Sequence, residues 1–186
     1  MLMRKIFQKG DTLIEVLFAV TVFSLVVVGA LSIMNSSTAV GERALETTLV
    51  RNQIDAQAEA LRYIHDSFVA TYPNPVAGQP SAEWSKIVAN EETTASAFGT
   101  CTSPSKAFVV NTSTEKVESN SVITTKVQTY AQLRFSPSVS SEGLWVEAIK
   151  SNVTNKYIDF HIRACWYSQG LNVPMTLGTI VRLYEP

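Results

Sequence analysis

The chain has 186 residues, which is room for one domain beside an N-terminal segment. It carries 15 Lys and Arg against 16 Asp and Glu, a formal net charge of −1, so no overall basic face for nucleic acid is implied, although a local patch stays open. The spacing argues against zinc: Cys101 and Cys165 stand far apart, and only His65 and His161 are on offer as the two further ligands.

The N-terminal stretch is the most informative. Arg4, Lys5 and Lys9 precede Gly10, and Asp11-Thr12-Leu13-Ile14-Glu15 follows. After Glu15 no charge appears until Glu42. Val16 to Met34 is almost wholly apolar and would be ~28 Å long as a helix, enough for a bilayer core of ~30 Å. Three leading basic residues favour a cytoplasmic N-terminus, with everything after Met34 outside the membrane. Removing residues 1–10 takes away three basic groups and leaves 12 Lys and Arg against 16 Asp and Glu, a side-chain balance of about −4. Glu15 is the odd residue, because a carboxylate at the start of a membrane helix needs a partner cation. A cut after Gly10 would create one, a free α-amine four residues away. On two parallel, staggered helices the amine of one chain would meet Glu15 of another.

The run Lys9 to Val16 resembles the leader-peptide junction of type IV pilins and pseudopilins. Gly10 matches the cleaved glycine, Thr12-Leu13-Ile14 match the motif and Glu15 matches its acidic residue. The resemblance covers about the first 60 residues. It implies a basic leader over 1–10, cut by a prepilin peptidase, and methylation of the new N-terminus. The family most often begins its mature chain with Phe, where Asp11 stands here. It further implies a subunit, minor or pseudopilin-like, that waits in the bilayer as a single-pass protein. An inner-membrane assembly platform then moves it into a helical filament of other pilin subunits. Such filaments serve adhesion, retraction-driven motility, DNA uptake or secretion, as cell-surface fimbriae or as an extracytoplasmic pseudopilus.

Other readings of the same stretch stay open. Val28-Gly29-Ala30 would suit ordinary signal peptidase and give a secreted chain from Leu31, although Asp11 and Glu15 put charge where the apolar region of a signal should begin. An uncut one-pass anchor carrying an extracytoplasmic binding module is the rival class.

Asn35-Ser36-Ser37-Thr38 is a polar exit that weakens helix locally. Beyond it Ala44, Thr47, Val50, Ile54, Ala58, Leu61, Ile64 and Phe68 recur at three- and four-residue steps, one apolar stripe on a helix that Pro73 and Pro75 end. One helix from Asp11 to Phe68 would be roughly 87 Å long, more than a compact domain covers. The expected organisation is therefore a membrane or filament-core helix over 11–34, a second half over 35–70 and a globular head over 71–186. Two helices broken near Asn35 are the alternative.

Ser81-Ala82-Glu83-Trp84 resembles a helix start, with Trp84, Ile87 and Val88 facing in. The stretch 93–105 reads as a polar loop holding Cys101. The period then changes to two. Strands are expected over 106–110, 122–135, 144–149, 156–167 and 175–184, with turns over 115–120, 136–143, 151–155 and 169–174. Ile123, Val127, Ala131, Leu133 and Phe135 share one face; Trp84, Trp145 and Trp166 read as core or sheet packing, with exposure left open for Trp145, which faces opposite Leu144. Cys165 falls on the more polar face of its strand. The fold class is α+β: a long N-terminal helix packed by its second half on an antiparallel sheet of four or five strands, as pilin heads are. In an exported domain Cys101 and Cys165 are expected to form a disulfide, worth ~4 kcal/mol in the chain-entropy model, with free buried thiols as the alternative.

No catalytic set or cofactor motif stands out. Ser103 to Lys106 and Ser113 to Lys116 fit S-x-x-K, but the partner motifs are missing and both lie in polar loops. His65 reads as a boundary residue of the long helix, and His161 as part of a solvated strand face with Asp159 and Arg163. Asn35, Asn111 and Asn152 begin chance-level glycosylation sequons.

Overall fold

The computed structural model describes residues 11–186 apart from 98, 100, 126, 128, 151, 153 and 155, and leaves out the side chains of Asp11 and Thr12. Gly10 and the leader over 1–10 lie outside the described residues. The chain divides into two compact units, Met1–Glu42 and Arg43–Pro186.

One helix, α1 (Asp11–Thr71), enters both units without a break at Asn35. Hydroxyls keep it intact where polar residues would weaken it. Thr38 Oγ1 donates to Met34 O (3.0 Å), and Thr47 and Thr48 donate back to Arg43 and Ala44. Such bonds answer the competing polar group within the helix itself.

In the second unit Val50, Ile54, Ala58, Leu61 and Ile64 are buried, the stripe that the three- and four-residue spacing predicts. They pack on a sheet in the order β3 (Lys116–Ser119), β2 (Phe108–Asn111), β7 (Leu144–Ile149), β8 (Tyr157–Trp166) and β9 (Met175–Tyr184), every neighbouring pair antiparallel. A two-residue strand, β1 (Glu91–Glu92), runs parallel to the end of β7. This is the α+β architecture the sequence leads one to expect. Phe108, Val110, Leu144, Val146, Ile158, Phe160, Ile162 and Trp166 meet the α1 stripe in one core. Helix α2 (Pro80–Ala89) starts with proline at its first position and adds Trp84 and Ile87 to that core, while Val88 is exposed.

The ladder between β2 and β7 touches only at Phe108 and Val146. Past it, Gln57 on α1 takes the place of a strand. Its amide donates to Val110 O (2.7 Å) and accepts from Val110 N–H (2.8 Å). The side chain is buried, and it satisfies the backbone that the diverging strand leaves behind.

Three stretches differ from the sequence reading. Residues 115–120 hold β3 rather than a turn. The turn comes earlier, where the Asn111 carboxamide oxygen accepts from Ser113 and Thr114 N–H and Glu115 adopts a φ of 58°. Residues 122–135 are not one strand. They contain β4 (Ile123–Thr124) and β5 (Gln132–Arg134), both pairing with β6 (Ser140–Glu142), which the reading gave to a turn. Between them the chain docks elsewhere: Thr124 O accepts from Gly143 N–H, and Val127 O accepts from Tyr167 N–H. Val127, Ala131 and Leu133 are buried as expected, but Phe135 is 40% exposed.

Gly143 joins β6 to β7 at a φ of 69°, and a Cβ there would collide with the Cys165 carbonyl oxygen. Gly143→Ala is therefore expected to destabilise the second unit by about 3 kcal/mol or more, from left-handed strain plus overpacking. Urea unfolding of the two proteins measures it, and a loss under about 1 kcal/mol would contradict this account.

Candidate functional site

The candidate assembly segment is the start of α1. Every described side chain from Leu13 to Thr38 is exposed. Large apolar groups stand among them, such as Phe18 (71%), Phe23 (69%) and Leu25 (74%). The helix is long and apolar enough to cross a membrane, with a mean hydropathy of 2.6 over its most apolar window. Two of its internal hydroxyls answer themselves. Thr21 Oγ1 donates to Leu17 O (2.9 Å) and Phe18 O (2.8 Å), and Ser24 Oγ donates to Val20 O (2.7 Å). A hydroxyl satisfied by its own helix enters lipid, or a bundle of apolar helices, at little cost.

Glu15 is different. It sits one turn after Asp11, the first residue of α1, beside exposed Leu13 and Ile14. An isolated carboxylate cannot be satisfied by its own helix backbone, whose N–H groups past the first turn are taken. The segment therefore carries the Glu15 carboxylate at the head of a long apolar cylinder. Of the motif residues, Leu13, Ile14 and Glu15 are placed with their side chains, Asp11 and Thr12 by backbone alone, and Gly10 lies outside the described residues.

The second unit carries a buried polar centre that the sequence reading missed. Cys101 and Cys165 are joined, with Cα atoms 5.6 Å apart. The bond fastens the 93–105 loop over the outer face of β7 and β8. Cys165 is fully buried there, in a small cluster with Ala107 and Trp145 apart from the main core. Trp145 is 1% exposed, a packing position as read for the three tryptophans. Glu147 completes the arrangement. Its carboxylate accepts from Ser96 N–H (2.9 Å), the Ser96 hydroxyl and Trp145 Nε1–H (2.9 Å), and it pairs with Arg163 Nε at 3.3 Å. All six residues of β7 are buried, because α1 covers one face and the tied loop the other. A charge inside the run Leu144-Trp-Val-Glu-Ala-Ile149 was the available signal, since a buried carboxylate demands donors.

Titratable groups elsewhere serve structure. Burial pushes the Glu83 carboxyl up, but bonds from Lys86 and from Val117 N–H (2.9 Å) outweigh it and hold it low. The Arg182 guanidinium, bonded at 2.6 and 2.8 Å, holds the Asp159 carboxyl low against the opposing effect of burial. His65, at the edge of the α1 stripe, bonds Tyr184 O through Nε2 (2.8 Å) and meets the Trp84 ring edge-on. Glu91 is pushed up by burial, with Lys150 opposing. Among the described residues no group of three or more His, Cys, Asp or Glu is placed to hold a metal.

His161 faces Glu147 across the ladder, with Asp159 and Arg163 on its own strand and Ile180 on β9. Burial lowers its pKa and Arg163 adds to this, against the pull of Glu147 and Asp159. A histidine lowered in the folded state contributes stability that is complete above its unfolded value of about 6.5 and is lost as pH falls through its folded value. His161→Gln is expected to flatten that part of a melting-temperature profile between about pH 7 and 5. An unchanged slope would place the pH sensitivity elsewhere.

Comparison with protein-family models, with curated proteins and with solved structures gives no match.

Proposed function

We propose that the chain is a structural subunit of a type IV pilus-like filament or pseudopilus, released from its leader after Gly10 and assembled through α1. The observation that carries the reading is the exposed apolar segment Leu13–Met34 with Glu15 at its head, directly after the Gly10-Asp11-Thr12-Leu13-Ile14 motif. The partners on this reading are a prepilin peptidase, the bilayer before assembly, an inner-membrane assembly platform and other subunits afterwards. The protein begins as a single-pass membrane protein with its N-terminus in the cytoplasm and ends in an extracytoplasmic filament.

The mechanism is an exchange of apolar surroundings. In the bilayer, acyl chains cover α1. In a filament, neighbouring helices cover it, so the transfer changes little in hydrophobic energy and packing decides the balance. Glu15 sets register. Its carboxylate is costly in an apolar bundle until a cation meets it, and the α-amine created at Asp11 of a neighbour is that cation.

The test is the intact mass and N-terminal sequence of the protein from its native envelope. The expected start is Asp11, with or without one added methyl group. A start at Leu31 would remove the assembly helix and leave a secreted head. An uncut chain that stays in the membrane fraction would favour an anchored binding module.

A further inference from the structure

The two edges of the main sheet differ. On β3 the edge is occupied, because α2 lies beside it and Glu83 Oε2 accepts from Val117 N–H. On β9 it is open. Glu185 N–H donates to Lys156 O, which fixes the phase of the β8–β9 ladder. Odd-numbered residues of β9 bond β8, and Thr176, Gly178, Ile180, Arg182 and Tyr184 turn their N–H and C=O groups away from it. Among the described residues only Tyr184 O is engaged there, by the ring of His65. The strand is ten residues long and holds neither proline nor lysine, the residues that natural edges use to repel strands. Ile180, at its centre, is 60% exposed.

We propose that β9 pairs antiparallel with β9 of a second copy of this chain, about a two-fold axis at Ile180. Three features of the strand fit it to itself. In this register Ile180 lies against Ile180, so two exposed apolar side chains cover each other. Arg182 lies opposite Gly178, which has no side chain, so no like charges meet across the ladder. Arg182 is also already paired with Asp159. Gly178 borders a hollow whose other walls include His161, Arg163 and Ile180, which leaves space for the incoming Arg182 stem. The Arg163 charge in that wall is offset by Glu147. The central pairs 178–182, 180–180 and 182–178 each supply two backbone hydrogen bonds. The contact is isologous. It is thus distinct from the heterologous contacts that build a helical filament, and it stands or falls independently of the pilin-like reading.

Cysteine pairing on the full chain in detergent tests it, since both native cysteines are already bonded to each other. Ile180→Cys is expected to give a disulfide-linked dimer on mild oxidation. Gly178→Cys is expected to link to Arg182→Cys only when the two variants are mixed. Glu118→Cys, on the occupied edge, is expected not to link. Ile180→Lys sets two ammonium groups side by side and should weaken self-association at least ten-fold by sedimentation equilibrium, with the circular dichroism spectrum unchanged. A monomeric wild-type chain whose Ile180→Cys variant does not link overturns the proposal. So does a dimer indifferent to Ile180→Lys, which would mean that the apolar helices associate instead. Equal linking through Glu118→Cys, or a β9 edge filled by a strand of another protein, overturns it as well.

Discussion

A Glu15→Ala variant is expected to accumulate in the membrane with its head folded and to be at least ten-fold depleted from sheared filaments. The Thr21 and Ser24 hydroxyls of the same segment are satisfied within the helix. Alanine at 15 makes the segment more apolar, so residence in lipid improves slightly. On the filament reading, what is lost is the carboxylate proposed to answer a neighbour's α-amine. A buried charge left without its partner costs about 3–5 kcal/mol, and here the stranded charge is the amine of the next subunit. Glu15→Gln should fail nearly as badly, because the amide keeps the shape and loses the charge. Immunoblots of sheared and membrane fractions, beside a melting curve of the head, read both parts. Filament levels equal to wild type would remove Glu15 from the assembly mechanism.

Glu147→Ala is expected to destabilise the second unit by about 3–5 kcal/mol at neutral pH, as removal of one member of a buried ion pair does. The substitution deprives Ser96 N–H, the Ser96 hydroxyl and the Trp145 indole of their acceptor and leaves the Arg163 charge among buried side chains. Glu147→Gln keeps one acceptor and is expected to cost about 1–3 kcal/mol. Urea unfolding followed by tryptophan fluorescence measures both, with Trp145 inside the affected cluster. A loss below about 1 kcal/mol for the alanine variant would show that the Cys101–Cys165 bond alone holds the loop.

The elements legible in the sequence were those whose pattern was set by one buried face. The α1 stripe from Val50 to Ile64 and the alternation along β8 each reflect a single core, so periodicity alone revealed them. What escaped reading depends on groups distant in sequence. Exposure of Trp145 stayed open because alternation assumes one wet face, and the chain at Cys101 that covers it is distant in sequence. The 122–135 stretch has strand composition throughout, yet its hydrogen bonds go to Gly143 and Tyr167 rather than to one ladder. Gln57 sits among apolar neighbours on the helix, and only the divergence of β2 from β7 explains it. At the candidate assembly segment the residues were legible because the signal is local: a charge at the head of an apolar run needs no tertiary context to be conspicuous.

The Glu83 carboxylate has a consequence for how far any association of these sheets can go. A sheet with two bare margins is a template at both ends, and copies can add without limit, as in cross-β fibres. Here the margin at Val117 is already spoken for by a side chain of the same molecule. Whatever strand joins at β9, the composite still ends in an occupied margin on the far side. Through this sheet, growth by strand addition is thus limited to the β9 side.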